Sequence, residues 1–235
     1  MTNVDYDAGW TERWDDMKRY GPASRHTRRL IFELLEGIEF RSVLDAGCGQ
    51  GELLGEIAAR RPGASLRGVD LSEAGIVIAA RRLPGARFSP LDLSAAPLHE
   101  TFDLVVCSDV LEHVEEDRAA LANLRRMTNG HLLVTTIQGP CYPWEKETMG
   151  HVRSYTRRDL ENKLSAAGFR VERVIEWGWP FYSPLYRSFL TLGGGGGTTG
   201  TFGRGRRIIS SLLYALFRLN SSRRGDGLFV LARAV

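Results

Sequence analysis

A glycine-rich segment preceded by an acid is the part of this sequence whose residue types could do chemistry. Residues 45–51 read DAGCGQG and follow a short apolar run. Glycines let the backbone turn tightly and let a ligand approach main-chain N–H groups at the start of a helix. Asp70 ends the next apolar run, where an acid can accept hydrogen bonds from both hydroxyls of a ribose. Together these features indicate a site for an adenosine-containing cofactor.

The glycine spacing argues against two common nucleotide-binding loops. The dinucleotide pattern Gly-x-Gly-x-x-Gly would need its third glycine at position 52, which is Glu52. The phosphate-binding loop that ends in Gly-Lys-Ser/Thr does not occur. A carboxylate at Asp45 would repel a pyrophosphate, whereas it suits a ligand that carries an ammonium group.

Further motifs make the chain similar to a known family, the class I S-adenosylmethionine (SAM) dependent methyltransferases. The resemblance is to their small-molecule branch, which includes the quinone-biosynthesis methyltransferases, and it spans roughly residues 41–176 and the last strand. It implies a Rossmann-like α/β fold with seven strands in the order 3-2-1-4-5-7-6, the last antiparallel, and helices on both faces. The motifs are VLDAGCGQG at 43–51, GVDLS at 68–72, LDL at 91–93, FDLVVCSDVLEHV at 102–114, GHVRSY at 150–155 and AGF at 167–169.

The resemblance also implies how SAM is held. The loop amides face the methionine carboxylate, Asp45 lies near the ammonium group, Asp70 binds the ribose and Asp92 binds the adenine amino group. Two alternatives stay open, since Asp45 could cap the following helix and Asp92 could begin a turn. The expected cofactor-binding residues are Asp45, Gly47, Cys48, Gly49, Gly51, Asp70, Leu71, Asp92, Leu93 and Ser108.

The acceptor atom can be an oxygen or a nitrogen. Transfer of a methyl group to an oxygen usually needs a general base as well as positioning, whereas a neutral amine needs only to lose its proton. His151 is the first candidate because it follows a glycine beyond the fifth strand, and Tyr155, four residues further on, is expected to be catalytic with it. His113, in LEHV at the start of a helix, is the second candidate. Each histidine could instead have a packing or orienting role. No metal is expected, because the sequence offers no acidic triad of the magnesium-dependent type.

Alternating strand and helix patterns from residue 41 onward would position these groups. Strand, helix, strand at this spacing predicts one parallel sheet whose carboxyl edge binds the ligand. The predicted strands are 42–46, 66–70, 87–90, 104–108, 131–136, 170–176 and 228–233, and the predicted helices are 51–61, 73–82 and 118–127.

Two segments lie outside this alternation. Residues 1–40, with a helical run at 24–35, are expected to form an N-terminal helical cap on a methyltransferase domain at 41–235. Residues 177–227 form a long insert that reads as a lid, with a joint at the five glycines 193–197. A small organic acceptor between cap and insert is expected to meet five aromatic residues, Trp14, Tyr20, Trp144, Phe181 and Tyr182.

The insert also carries a basic amphipathic stretch at 204–224. Such a stretch can be the buried side of a lid, a dimer contact or a peripheral membrane contact. The membrane alternative would imply a lipid-linked acceptor. The surrounding arginines fit a composition with 28 Arg and only 3 Lys, and nucleic acid is not expected as a partner because no recognisable module is present. Monomer and homodimer both stay open.

Other function classes fit less well. Asp70 and the spacing of Tyr142 and Lys146 would also fit a nicotinamide-dependent oxidoreductase. Pro143 argues against this class, because that tyrosine–lysine pair must lie on a helix. A nucleic-acid methyltransferase and a chain that has lost catalysis are further alternatives. The acidic N-terminus, the scattered cysteines and the lack of an apolar run of about 20 residues predict a cytoplasmic protein.

Overall fold

A computed structural model describes residues 4–192 and 199–235. Its centre is a seven-stranded sheet in the order β3-β2-β1-β4-β5-β7-β6. The strands are β1 Ser42–Ala46, β2 Ser65–Asp70, β3 Arg87–Pro90, β4 Phe102–Ser108, β5 Thr128–Ile137, β6 Phe169–Trp177 and β7 Gly227–Ala234. Neighbours among the first five strands pair in parallel, whereas β7 is antiparallel to both β5 and β6. The predicted strand order and the antiparallel last strand are confirmed.

Helices cover both faces of this sheet. The α-helices are α1 Tyr6–Ala8, α2 Asp15–Tyr20, α3 Pro22–Leu34, α4 Glu52–Arg60, α5 Glu73–Arg82, α6 Asp117–Met127, α7 Arg157–Ala166, α8 Ser188–Leu192 and α9 Arg204–Phe217. Wider π-helical turns lie at Gly9–Arg13, Glu145–Met149 and Tyr182–Arg187, and a short 3₁₀ turn lies at Leu111–His113. The structure confirms the three helices predicted between the strands.

The apolar residues form a core on each side of the sheet because successive strand residues face opposite sides. Val43 packs with residues of α3 and α4, whereas its neighbour Leu44 packs with residues of α6 and α7. Both side chains are fully buried, as is typical of a central parallel strand covered on both faces. Strand β1 lies between β2 and β4, so the order in which strands are added to the sheet reverses at β1. At such a reversal a crevice opens at the carboxyl ends of the strands.

The insert between β6 and β7 is anchored by a buried ion cluster. Arg187 is 1% exposed, and its guanidinium donates to Glu145 at 2.6 Å and to Asp226 at 2.5 Å. These bonds join the insert to the segment after β5 and to the start of β7. The glycine joint predicted at 193–197 lies outside the described residues.

Within residues 4–192 and 199–235, no helix is long and apolar enough to cross a membrane. The cytoplasmic location expected from the sequence stays a prediction.

Candidate active site

The glycine loop between β1 and α4 adopts a backbone that requires glycine. Gly47 has a φ of +89° and Gly49 a φ of +49°, both in the left-handed region. A Cβ atom at Gly47 would lie 2.2 Å from a methyl carbon of Val110, and one at Gly49 would lie 2.3 Å from the ring of Trp10. The N–H groups of Gly47 and Cys48 donate to the carbonyl of Val69 at 2.7 and 2.9 Å, which ties the loop to β2.

Two acids flank this loop, Asp45 buried and Asp70 half-buried. Asp70 accepts hydrogen bonds from the N–H groups of Gly49 at 2.7 Å and Ser72 at 2.9 Å, and burial raises its pKa. Asp45 is 2% exposed, and its pKa is raised to about 7, first by burial and then by the charge of Asp70. The ammonium group of Lys18, from α2, acts against both increases. The recess therefore carries more negative than positive charge.

Apolar and polar groups complete the cofactor side of the site. Leu71 is 62% exposed where it borders the recess, whereas Leu93 is 6% exposed. Asp92 accepts hydrogen bonds from the N–H and hydroxyl of Ser94 through Oδ1, so the turn considered from the sequence does form. The Ser108 hydroxyl lies 2.9 Å from that of Thr135 at the carboxyl ends of β4 and β5.

A cavity of about 480 Å³ runs from this recess to helix α9. It gathers most of the residues that sequence analysis singled out, from widely separated parts of the chain. Those lining it are Trp14, Asp45, Gly47, Cys48, Asp70, Leu71, Asp92, Leu93, Ser108, His113, Trp144, His151 and Tyr182. Those that do not line it are Tyr20, Gly49, Gly51, Tyr155 and Phe181.

Tyr155 occupies the core rather than the cavity. It is 2% exposed, and its hydroxyl donates to Asp117 Oδ2 at 2.7 Å. Burial, followed by this bond, raises the pKa of the phenol. Lys163 Nζ lies 2.6 Å from the same carboxylate oxygen, so the arrangement is a closed polar cluster beneath the sheet edge. The structure thus separates Tyr155 from His151, the residue with which the sequence motif had grouped it.

The two candidate histidines lie side by side in the cavity. The ring centroids of His113 and His151 are 4.7 Å apart, in an edge-to-face arrangement. Burial lowers the pKa of His113 to about 4 and that of His151 to about 3, so both imidazoles are neutral near pH 7. His113 Nδ1 lies 3.4 Å from the Tyr6 hydroxyl, whereas His151 Nδ1 is buried without a hydrogen-bond partner among the described residues.

Among the acids beside these histidines, Glu112 was not singled out from the sequence. Glu112 is 1% exposed, accepts a hydrogen bond from the Thr136 hydroxyl at 2.8 Å, and has a pKa raised to about 8 by burial and by Asp109. Asp109 holds a φ of +54°, which is strained for a residue with a side chain, and its carboxylate lies 3.5 Å from Lys18. Glu112 belongs to the LEHV motif and could have been noticed in the sequence. The position of Lys18 beside Asp109 depends on the fold, because the two residues are far apart in the chain.

Ligand atoms of the types that bind metals also converge here. Those of Glu112, His113 and His151 lie within 4.8 Å of one another, and so do those of Cys141, Glu145 and His151. Both carboxylate oxygens of Glu145 already accept hydrogen bonds from Arg187, so the second group has its charge balanced. The sequence-based expectation of no metal stays a prediction.

Several buried polar atoms around the cavity have no partner among the described residues. They are the indole N–H groups of Trp14, Trp144 and Trp177, together with His151 Nδ1 and Gln50 Oε1. A buried polar group without a partner costs about 1–3 kcal/mol, so such groups are rare unless a ligand or water meets them. These atoms give the cavity both donors and acceptors that a polar ligand or water can meet.

Comparison with known proteins identifies the class. Residues 17–174 match the family model described as methyltransferase domain. The chain therefore belongs to the methyltransferase-domain family. This result confirms the family and the Rossmann-like fold expected from the sequence motifs.

Individual relatives and solved structures match this chain at modest sequence identity. The ubiquinone biosynthesis O-methyltransferase of Alkalilimnicola ehrlichii is 32% identical over 150 residues, which cover 56% of this chain and 57% of the relative. The chain spans about half the length of the curated relatives it matches. A TehB-like SAM-dependent methyltransferase from Corynebacterium glutamicum has a TM-score of 0.55 at 22% identity, with 89% of this chain and 87% of that chain covered.

A further solved structure shares the fold. The N-methyltransferase NodS from Bradyrhizobium japonicum, crystallised with S-adenosylhomocysteine, has a TM-score of 0.59 at 17% identity, with 94% and 90% of the two chains covered. SAM is the cofactor of this class, and the residues present fit it. Its sulfonium and ammonium charges suit the excess of carboxylates, and Gly47 and Cys48 of the loop line the cavity beside Asp45 and Asp70.

Proposed function

We propose that the protein transfers the methyl group of SAM to a hydroxyl oxygen of a small organic acceptor. The observation that carries this proposal is the meeting, in one cavity, of the acidic cofactor recess with a pair of neutral histidines. The relatives named as O-methyltransferases support oxygen over nitrogen as the attacking atom.

The cofactor recess would hold SAM through the residues expected from the sequence. Asp70 keeps lone pairs for ribose hydroxyls beyond the two backbone bonds that it accepts. Asp45 would face the ammonium group, and Leu71 and Leu93 would flank the adenine. When bound, SAM supplies an electrophilic methyl group on a sulfonium. The protein supplies orientation and a site with little water, which are the main requirements of this displacement.

His151 is proposed as the group that takes the acceptor's proton. A neutral imidazole with a buried, unpartnered Nδ1 can accept a hydrogen bond from a hydroxyl. A carboxyl oxygen of Glu112 lies within 4.8 Å of a ring nitrogen of His151. An imidazolium formed by proton transfer would lower the pKa of that carboxyl from about 8, and the carboxylate so formed would stabilise the imidazolium charge. The ring of His113 packs against His151 and orients it.

The acceptor side is proposed to be closed by the cap at 1–40 and the insert at 177–227. Trp14 of the cap and Tyr182 of the insert both line the cavity, as does Trp144. Hydrogen bonds join the two segments: Phe202 N–H donates to Asp16 at 2.6 Å, and Ser210 donates to the carbonyl of Tyr20. Aromatic walls with indole N–H donors favour a flat acceptor that carries oxygen atoms.

The first experiment is calorimetric titration of the protein with S-adenosylhomocysteine, with NAD as the control. Binding in the micromolar range to S-adenosylhomocysteine alone is expected, whereas binding to NAD alone would overturn the cofactor assignment.

A second experiment separates the attacking atom. Transfer of labelled methyl from SAM is measured to a panel of catechols and to the matching aminophenols and anilines. We expect methyl ethers as products, and turnover in the His151→Ala variant is expected to fall by about 100-fold with little change in S-adenosylhomocysteine affinity. The exposed His99→Ala variant serves as the control. Methylation of amines only, or full activity of His151→Ala, would contradict the proposal.

A further inference from the structure

The exposed apolar side chains of this protein concentrate on the insert. Among the described residues, nine of the twelve exposed large hydrophobic side chains lie between Trp179 and Leu219. Phe189 and Leu192 of α8 are 70% and 87% exposed, and Leu212 of α9 is 66% exposed. Scattered exposed leucines are ordinary, but such a concentration in one segment marks an interaction surface.

Helix α9 is two-sided. Ile208, Leu212 and Leu216 follow one another at four-residue intervals, and with Leu219 they form the α9 outer face, which is exposed to solvent. The opposite side is buried, since Phe217 is 1% exposed and belongs to the apolar core beneath α3. The outer face is therefore not needed to hold the helix in place.

The charge on this segment has only one sign. Residues 177–225 contain seven arginines and no Asp, Glu or Lys. Arg204 begins α9 and Arg218 follows its end, and both are exposed at the two ends of the α9 outer face. Arg223 and Arg224, a few residues further along the chain, are exposed as well. Two copies meeting through this face would bring like charges together, which disfavours self-association. An anionic surface has the complementary charge.

We propose that the α9 outer face and its flanking arginines bind the protein peripherally to an anionic lipid bilayer. A helix with an apolar face bordered by arginines lies in the interface plane, with its apolar side chains among the acyl chains and its basic groups at the lipid phosphates. No described helix can span a membrane, so this contact is peripheral.

The cavity gives the contact a consequence for catalysis. Ile209 is 59% exposed and also lines the cavity, as does Arg206 one helical turn earlier, so the cavity reaches the surface beside the α9 outer face. On a bilayer this opening would face the lipid. An amphiphilic acceptor with a hydrocarbon tail could then enter directly from the membrane, a step that rests on the proposed methyl transfer.

Vesicle flotation tests the surface without requiring catalysis. The protein is mixed with vesicles of phosphatidylcholine alone or with about 30% phosphatidylglycerol. We expect at least tenfold stronger binding to the anionic vesicles, and weaker binding as salt is raised. Absence of flotation, or equal binding to both vesicles, would overturn the proposal.

Matched variants connect the binding to the named residues. The Ile208→Gln/Leu212→Gln variant is expected to bind at least tenfold more weakly, because it removes two exposed apolar anchors. The Arg204→Gln/Arg218→Gln variant is expected to lose about thirtyfold on anionic vesicles. Val77→Gln on α5, where Val77 is 48% exposed, is the control for the apolar change.

Three further measurements separate the possible outcomes. Arg158→Gln, at an exposed arginine of α7, is the control for the charge change, and it should bind like the unmodified protein. Light scattering reports whether the chain dimerises, and a dimer that Leu212→Gln dissociates, without flotation, would assign the face to a second copy. Titration with S-adenosylhomocysteine is run on every variant. Binding of this ligand without flotation refutes only the membrane contact, whereas flotation without ligand binding refutes only the proposed function.

Discussion

Replacing Asp45 by asparagine tests whether ionisation of this buried carboxyl destabilises the folded protein. Burial and the charge of Asp70 raise the pKa of Asp45 from 3.8 to about 7. Asparagine has the shape of the protonated acid without its titration. We therefore expect the Asp45→Asn variant to be more stable than the unmodified protein at every pH at which the native carboxyl ionises.

The dependence on pH follows from the two pKa values. Between about pH 4 and pH 7 the unfolded chain releases this proton while the folded protein still holds it, so the carboxyl makes the folded state progressively less stable as pH rises. One pKa unit corresponds to ~1.4 kcal/mol, so the full penalty above pH 7 is roughly 4 kcal/mol. Near pH 4.5 less than about 1 kcal/mol of it has developed.

The assay is urea unfolding of both proteins at about pH 4.5 and pH 8, without cofactor. The free energy of unfolding of Asp45→Asn should exceed that of the unmodified protein by about 2–4 kcal/mol at the higher pH and by under about 1 kcal/mol at the lower. Affinity for S-adenosylhomocysteine should fall by about tenfold or more, because one charged hydrogen bond is lost. A stability difference that is the same at both pH values would refute the reasoning.

Asp103→Asn is the matched control at the opposite end of the sheet. The Asp103 carboxylate accepts hydrogen bonds from the backbone N–H groups of Arg41 and Ser42, and these bonds lower its pKa. This acid stabilises the folded state when it is ionised, so its replacement should destabilise the protein at high pH, and the loss should shrink as pH falls through the lowered pKa. Opposite signs for the two asparagine variants exclude a general effect of removing negative charge.

Three other substitutions give separate tests. Arg187→Met leaves Glu145 buried without its cation, so the free energy of unfolding should fall by about 3–5 kcal/mol in urea titration, and an unchanged value would show that the ion cluster does not anchor the insert. Tyr155→Phe removes the bond to Asp117 and should cost about 1.5–3 kcal/mol of stability with turnover retained, whereas loss of turnover in a stable variant would return Tyr155 to the catalytic residues. Asp70→Asn should weaken S-adenosylhomocysteine binding by about 100-fold in calorimetry, and unchanged affinity would contradict its ribose role.

The strands and the cofactor loop were accessible from sequence because their determinants are local. Continuous apolar runs of strand length, each followed by a helical pattern, specify a buried parallel sheet without knowledge of distant contacts. The glycines at 47 and 49 are required by the backbone of one turn, and Asp70 follows from its position at the end of the neighbouring strand. Features of this kind can be predicted directly from the sequence.

The grouping of His151 with Tyr155 shows where local reasoning ends. The two residues are only four positions apart, but the backbone of Tyr155 pairs with Gln138, just after the carboxyl end of β5, and the ring of Tyr155 lies in the core. His151 instead meets His113, which lies 38 positions earlier in the chain. Spacing along an irregular segment does not determine which side a residue faces, because no helix or strand period applies to it.

By itself, the sequence determined the order and kind of the elements, the family, and the loop and acids expected to hold the cofactor. Only the tertiary structure decided the charges and walls of the acceptor side. It brought Lys18 beside Asp109, buried Glu112 until its pKa rose to about 8, and left the outer face of α9 exposed next to the cavity opening. The physical reason is that burial, desolvation and the meeting of distant charges are properties of packed elements, and they have no counterpart in the local pattern of residues.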